Sequence, residues 1–139
     1  MNTEEATNFY VSIVKISQVL SIRRQGADGT VMGTSMGTSF RLDGQEFMAL
    51  NGGPAFQFTE AISLCIDCAS QHEVDELWEK LSSGGQKGRC GWLKDRYGRS
   101  WQIIPSARCC RTTTHERAKG VMQAMMQMTK IDIAKRKQT

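Results

Sequence analysis

Apolar residues recur every three or four positions in two stretches of the chain, and this spacing is typical of helices packed on one side. It predicts a first helix over 3–14, capped by Asn2 or Thr3, and a second helix that begins after Ser70 and ends at residues 84–85. The apolar stripes are Ala6, Phe9, Tyr10, Ile13 and Val14 in the first helix, and Val74, Leu77, Trp78 and Leu81 in the second.

Shorter apolar or alternating runs between these stretches predict strands. They cover residues 17–24, 34–42, 46–50, 61–67, 90–94 and 100–104, with hairpin turns at residues 43–44 and 95–98. The order is helix and three strands, then strand, helix and two or three strands. The pattern predicts an α+β fold of two paired βαβββ modules that form a curved mixed sheet around a pocket. The first strand of the first module is absent.

The chain has 139 residues, the usual size of one domain, and its 40% hydrophobic and 23% charged residues are ordinary for a globular protein. Its net charge of +4 divides unevenly, at −2 for residues 1–105 and +6 for 106–139. A slightly acidic body argues against nucleic-acid binding. The sequence has no run long enough to cross a membrane and begins with acidic residues, so we expect a cytoplasmic protein without membrane contact.

The five cysteines include a CxxC motif at Cys65 and Cys68. Because this motif lies in a predicted strand, its two thiols should point to opposite faces, which favours structural thiols over a redox or zinc site. Neither histidine has a carboxylate or thiol at ligand spacing, so we interpret His72 and His115 as surface residues. No nucleophile with a matched base is visible, and the catalytic residues, if the protein is an enzyme, stay unassigned.

The tail after residue 106 is predicted to be helical over 115–128, with Asp132 capping a final turn. Its methionines pack either on the sheet or on a partner subunit, or they are presented to a partner peptide. The sequence alone leaves these alternatives open.

Three segments together resemble the PhnB-like proteins of the vicinal oxygen chelate superfamily, which includes glyoxalase I, extradiol dioxygenases and bleomycin-resistance proteins. They are FMALNGGP at 47–54, CGWLKDRYGRSWQIIP at 90–105 and VMQAMMQM at 121–128. The resemblance implies a vicinal oxygen chelate domain over 1–105, with modules at about 3–54 and 61–105, and a basic helical extension over 106–139. Such proteins normally open with a strand, so its absence implies a truncated gene product or another edge pairing.

The superfamily binds a divalent metal through His and Glu side chains. The resemblance places three of these ligand positions on Ala49, Ala61 and Gln102, and the fourth on the absent strand. Alanine has no donor atom and glutamine is a weak neutral ligand, so we expect no metal and no cofactor. Relatives are often labelled 3-demethylubiquinone-9 3-methyltransferase, but the chain lacks a glycine-rich turn between a strand and a helix.

Strand alternation places one further set of residues toward the predicted pocket. We expect a small-molecule site formed by Phe47, Asn51, Ser63, Trp92, Ser100 and Gln102. The alternative is that these polar groups satisfy the buried backbone. The sequence thus predicts a metal-free binding protein of unassigned activity that forms a homodimer and does not bind nucleic acid. A metal-dependent lyase or dioxygenase, a methyltransferase and a non-catalytic interaction module stay open as alternatives.

Overall fold

The computed structural model describes residues 2–24, 35–106 and 115–137, with side chains in the last stretch described from 119 to 135. The chain divides into two compact units, Met1–Gln57 and Phe58–Thr139. None of the described helices has the length and apolar character needed to cross a membrane.

The first unit is a helix on a three-stranded antiparallel sheet. Helix α1 (Thr3–Ile13) is followed by β1 (Gln18–Arg24), β2 (Ser35–Leu42) and β3 (Gln45–Leu50), in the sheet order β1-β2-β3. A short 3-10 turn at Gly53–Ala55 follows β3. The predicted helix and strands of this half are confirmed within one or two residues.

Local capping and turn chemistry explain where these elements begin. The side chain of Asn2 accepts a hydrogen bond from the amide of Glu4, which caps α1 as expected. Asp43 and Gly44 both have positive φ, at 47° and 81°, the conformation that a tight hairpin between β2 and β3 requires. On the covered face of the sheet, the ring of Phe40 stacks with that of Tyr10 from α1, at 6.5 Å between centroids.

The second unit is a helix on a four-stranded mixed sheet with two further helices. Its elements are β4 (Ser63–Cys68), α2 (Gln71–Ser82), β5 (Gln86–Lys87), β6 (Trp92–Lys94), β7 (Ser100–Pro105), α3 (His115–Gln127) and α4 (Ile133–Lys137). The strands are hydrogen-bonded in the order β4-β7-β6-β5, with β4 parallel to β7 and the other pairs antiparallel.

Helix α2 covers one face of this sheet with the stripe that its sequence predicts. Ser70 accepts from the amide of Glu73, and the Glu73 carboxylate accepts from the amide of Ala69, so both predicted members of the capping box are used. Packing against β7 buries the core almost completely, and each large apolar side chain there contributes about 1.5–3 kcal/mol. The core consists of Val74, Leu77, Trp78 and Leu81 with Leu93, Trp101 and Ile103.

Residues 128–133 are hydrogen-bonded into the second unit. The amides of Cys90 and Gly91 donate to the carbonyls of Met128 and Thr129 at 2.7 and 2.8 Å. The side chain of Gln71 donates to the carbonyl of Ile131 and accepts from the amide of Ile133. These bonds connect residues 128–133 to the loop before β6 and to the first residue of α2.

The predicted α+β class and its C-terminal helix are confirmed. The described strands divide into two sheets, one in each unit, because β3 bonds only to β2 and β4 only to β7. Helix α1 begins at Thr3, so β4 has no counterpart among the described residues of the first unit.

Candidate functional site

Helix α2 leaves the opposite face of the second sheet open, and strand register arranges the side chains there in rows. One row contains Ser63, Ser100 and Lys94, which are Cα partners across β4, β7 and β6. The next row contains Gln102 and Trp92, together with Cys65. Four of the six predicted site residues thus share one face of one sheet.

The hydroxyl groups on this face differ in their hydrogen bonding. Gln102 Nε2 donates to Ser63 Oγ at 2.7 Å, so these two predicted residues satisfy each other. Ser100 is only 2% exposed, yet its hydroxyl has no hydrogen-bond partner within the described residues. A buried polar group without a partner is costly, and such groups are rare outside sites that receive a ligand or water.

A cavity of about 400 Å³ has Ser100 among its lining residues and lies entirely within the second unit. Ser100, Lys94 and Trp92 line it from the open face, and Glu60 and Arg89 line it from the flanking loops. Lys94 Nζ contacts Glu60 Oε1 at 2.6 Å. The hydrogen bond from Lys94, reinforced by its positive charge, lowers the pKa of the Glu60 carboxyl.

The other two predicted residues lie in the first unit, and Phe47 does not lie on that sheet's open face. Its ring stacks with Phe40 at 5.6 Å on the side covered by α1. Ala49 pairs with Thr38 and shares this covered side. Phe47 and Ala49 therefore lie on the side of the sheet that α1 covers, and the opposite face of β3 carries Met48 and Leu50.

Asn51 has a structural position directly after β3. Its Oδ1 accepts from the amide of Thr3 at 3.1 Å, and its Nδ2 donates to the carbonyl of Ser35. One amide side chain thereby ties the start of α1 to the start of β2. The contacts of Asn51 are those of a residue that satisfies the backbone, the alternative left open from the sequence.

The residues at the three positions that the resemblance assigns to metal ligands do not fit a divalent cation. Ala49 and Ala61 offer no side-chain donor atom, and Gln102 offers only a neutral amide oxygen, which is a weak ligand. Within the ranges that the structure describes, no three His, Cys, Asp or Glu side chains come together as ligands. We therefore derive no reaction step through a metal.

The CxxC thiols diverge, as expected for a strand. Cys65 is exposed on the open face, whereas Cys68 is fully buried on the face toward α2. Partial burial, and then the charge of Asp67, raises the pKa of the Cys65 thiol, the opposite of redox activation.

The remaining histidine and cysteine positions add no ligand group to the described site. The side chain of His72 is 89% exposed, in agreement with its interpretation as a surface residue. The side chain of His115 lies outside the described residues, and so do Cys109 and Cys110.

The charged residues of the cavity were not among the predicted site residues. Lys94 follows Trp92 by two positions in β6, so the alternation that selects Trp92 also selects Lys94. Glu60 and Arg89 lie in loops, where no periodicity reports on direction. Their presence gives the cavity a charged rim that the predicted set lacked.

Comparison with known proteins identifies the family. The sequence profile of the family 3-demethylubiquinone-9 3-methyltransferase matches residues 1–104. A PhnB protein from Bacillus cereus that carries the same methyltransferase name is 36% identical, with a TM-score of 0.68 over 74% of this chain and 90% of that one. No curated protein matches the chain significantly.

Two further solved structures are similar. Protein PA1353 from Pseudomonas aeruginosa shares the fold at 18% identity and a TM-score of 0.62, over 76% of this chain and 91% of that one. A glyoxylase/bleomycin resistance protein/dioxygenase domain from Frankia sp. EAN1pec matches at 16% identity and a TM-score of 0.47, over 82% of this chain and 88% of that one. The family match and the PhnB relative confirm the PhnB-like part of the resemblance, and the chain belongs to the 3-demethylubiquinone-9 3-methyltransferase family as a PhnB-like protein.

Proposed function

We propose that this protein binds a small molecule, without a metal ion, on the open face of its second sheet. The observation that carries the proposal is the buried and unpartnered hydroxyl of Ser100 on the wall of a cavity of about 400 Å³. That volume is within the usual range for ligand pockets, which combine apolar surface with a few directed polar groups. Trp92 supplies the apolar surface, and Ser63 and Gln102 add polar groups on the same face.

A metal-dependent lyase or dioxygenase is the first alternative function. It requires donor side chains that the positions of Ala49 and Ala61 do not supply. Elemental analysis of the purified protein separates the two functions, because a stoichiometric transition metal would favour the alternative.

A methyltransferase is the alternative that the family name suggests. The first sheet is antiparallel throughout, and the glycines at 52–53 lead into a three-residue turn instead of a long helix. We expect no heat of binding when the chain is titrated with S-adenosylmethionine. A measurable heat with one-to-one stoichiometry would support the methyltransferase function.

Ligand-observed NMR with a panel of small aromatic fragments tests the main proposal. We expect fragments to bind the native chain, and Trp92→Ala to weaken this binding because it removes the apolar wall of the cavity. The matched control is Phe56→Ala, which truncates an exposed ring in the first unit. The proposal fails if no fragment binds, or if Trp92→Ala and Phe56→Ala bind fragments equally well.

We also propose that the protein is a cytoplasmic homodimer that does not bind nucleic acid. Exposed Met48 and Leu50 on the open face of the first sheet support self-association, since burying them removes apolar surface from water. The free thiols of Cys65, Cys68 and Cys90 suit a reducing compartment. Light scattering tests the homodimer, cell fractionation tests the cytoplasmic location, and a DNA gel-shift assay tests the absence of nucleic-acid binding. A monomer in solution would contradict the homodimer.

A further inference from the structure

The side chains that line the cavity carry more positive than negative charge. Its wall contains Lys87, Arg89 and Lys94, but Glu60 is the one carboxylate among its lining residues. Lys87 is already bound by the Glu79 carboxylate, at 2.8 and 2.9 Å. Arg89 is exposed and has no ion pair with the described residues, so its charge is available to a ligand.

The Glu60 carboxylate, which is paired with Lys94, is easily replaced by another anion. Glu60 lies in the loop before β4 and its side chain is 71% exposed, so water competes for its contact with Lys94. Exposed ion pairs of this kind contribute little to stability. An anion that enters the cavity can therefore take the place of Glu60 on the Lys94 ammonium group at small cost.

Register brings a second donor beside Lys94. Ser100 is its direct partner across β6 and β7, and side chains in such positions start about 5 Å apart. The Ser100 hydroxyl is buried and has no partner in the described part of the chain. One anionic oxygen placed between these residues accepts from both the ammonium and the hydroxyl group, and charge-assisted bonds of this kind are strong.

An aromatic surface lies at a defined distance from this pair. Trp92 precedes Lys94 by two residues on the same strand face, which corresponds to about 7 Å along β6. Its indole is half-buried on the cavity wall, where a flat ligand ring can stack. The spacing suits a compact molecule with an acidic group close to one aromatic ring.

We infer that the ligand is a small aromatic carboxylic acid, with its carboxylate between Lys94 and Ser100 and its ring against Trp92. This inference rests on the proposed function, because it names the ligand class of the same cavity. Glu60 occupies the carboxylate position in the absence of ligand and is displaced on binding.

Calorimetric titration with two matched probes tests the ligand class. Indole-3-acetate and indole-3-acetamide have nearly the same shape and differ in charge. We expect the native chain to bind the acid at least about tenfold more tightly than the amide, because only the acid forms charge-assisted bonds. Lys94→Met should remove this preference, whereas Glu60→Gln should strengthen binding of the acid by vacating Lys94.

Lys80→Met is the matched control, since that lysine lies in α2 away from the cavity lining and is already paired with Glu76, and it should leave the preference unchanged. Circular dichroism verifies that each variant is folded, and Glu60→Gln tests the inference even if Lys94→Met does not fold. Equal binding of acid and amide overturns the inference but leaves the proposed function standing. Binding of neither probe at millimolar concentration, together with no binding in the fragment panel, contradicts both.

Discussion

The indole Nε1 of Trp101 donates a 2.7 Å hydrogen bond to Oδ2 of Asp95, six residues earlier in the chain. The other carboxylate oxygen accepts from the amides of Tyr97 and Arg99, at 2.8 and 3.0 Å. Asp95 is 3% exposed, so a single buried carboxylate organises the turn between β6 and β7 and attaches it to the core. This turn also sets the strand register in which Lys94 pairs with Ser100 on the cavity wall.

Replacing this carboxylate should destabilise the protein. Asp95→Asn puts an amide nitrogen where one of the three donors now binds, and we expect a loss of about 2–3 kcal/mol in the free energy of unfolding. Urea denaturation measures the change. The matched control Asp43→Asn lies in an exposed turn with positive φ, which asparagine tolerates, and should change stability by less than about 0.5 kcal/mol. Similar losses in both variants would contradict this role for Asp95.

Gly85 is required by the close approach of two chain segments. A Cβ atom at this position would lie 2.1 Å from the carbonyl oxygen of Lys94, and backbone atoms cannot move aside as a flexible side chain can. We expect Gly85→Ala to lower the free energy of unfolding by about 3 kcal/mol or more, measured by thermal unfolding. Gly52→Ala is the control, because nothing lies within 4 Å of the position that its methyl group would take and its φ is negative. A Gly85→Ala protein as stable as the control would show that the two segments separate without cost.

Gln71 should control the local stability of the C-terminal segment. Gln71→Ala removes the acceptor for the Ile133 amide and the donor to the Ile131 carbonyl, at a cost of about 1–2 kcal/mol. The Ile133 amide should then exchange hydrogen about tenfold faster, as measured by NMR. His72→Ala alters the neighbouring exposed residue of the same helix and should leave this exchange unchanged. Unchanged exchange in Gln71→Ala would contradict this role for Gln71.

Asp75 should make stability depend on pH in the acid range. Hydrogen bonds from Lys130 and then Gln71 lower the pKa of its carboxyl below the ordinary value of 3.8. A lowered pKa in the folded state means that the contribution is complete above 3.8 and disappears as the pH falls through the folded-state value. Because the side chain is 46% exposed, we expect no more than about 1 kcal/mol.

Unfolding free energies of native and Asp75→Asn proteins between about pH 2 and pH 6 test this dependence. The difference between the two should shrink as the solution becomes more acidic. Glu79→Gln, on the exposed face of the same helix, leaves Asp75 in place. The unfolding free energy of this variant should therefore still show the decrease at acid pH that Asp75 causes. A difference that stays constant over this range would exclude the Lys130 contact as its origin.

Alternation along a strand predicted side-chain direction only where polar and apolar residues actually alternate. In β7, Ser100 and Gln102 flank Trp101, so the sequence separates the two faces and the predicted orientation agrees with the register. In β3, residues 47–50 are all apolar, so the sequence is compatible with either set of alternate side chains facing the core. The pattern therefore did not determine which face of β3 carries Phe47, and the structure places its ring on the side of α1.

Contacts between residues far apart in the chain were not predictable in the same way. The capping residues Asn2 and Ser70 act on neighbours within three positions, and both were found from the sequence. Gln71 binds residues 60 and more positions away, and nothing in its local sequence indicates this partner. The charged rim at Glu60 and Lys94 likewise joins a loop to a strand through an ion pair across 34 positions.

The three tryptophans of the chain, Trp78, Trp92 and Trp101, all belong to the second unit. Fluorescence excited in the tryptophan band therefore has no intrinsic emitter in the first unit, whose backbone still contributes to the far-ultraviolet circular dichroism. Denaturation curves from the two signals coincide only if both units unfold together. Comparing these two signals during denaturation of the unmodified protein thus distinguishes one cooperative unit from two.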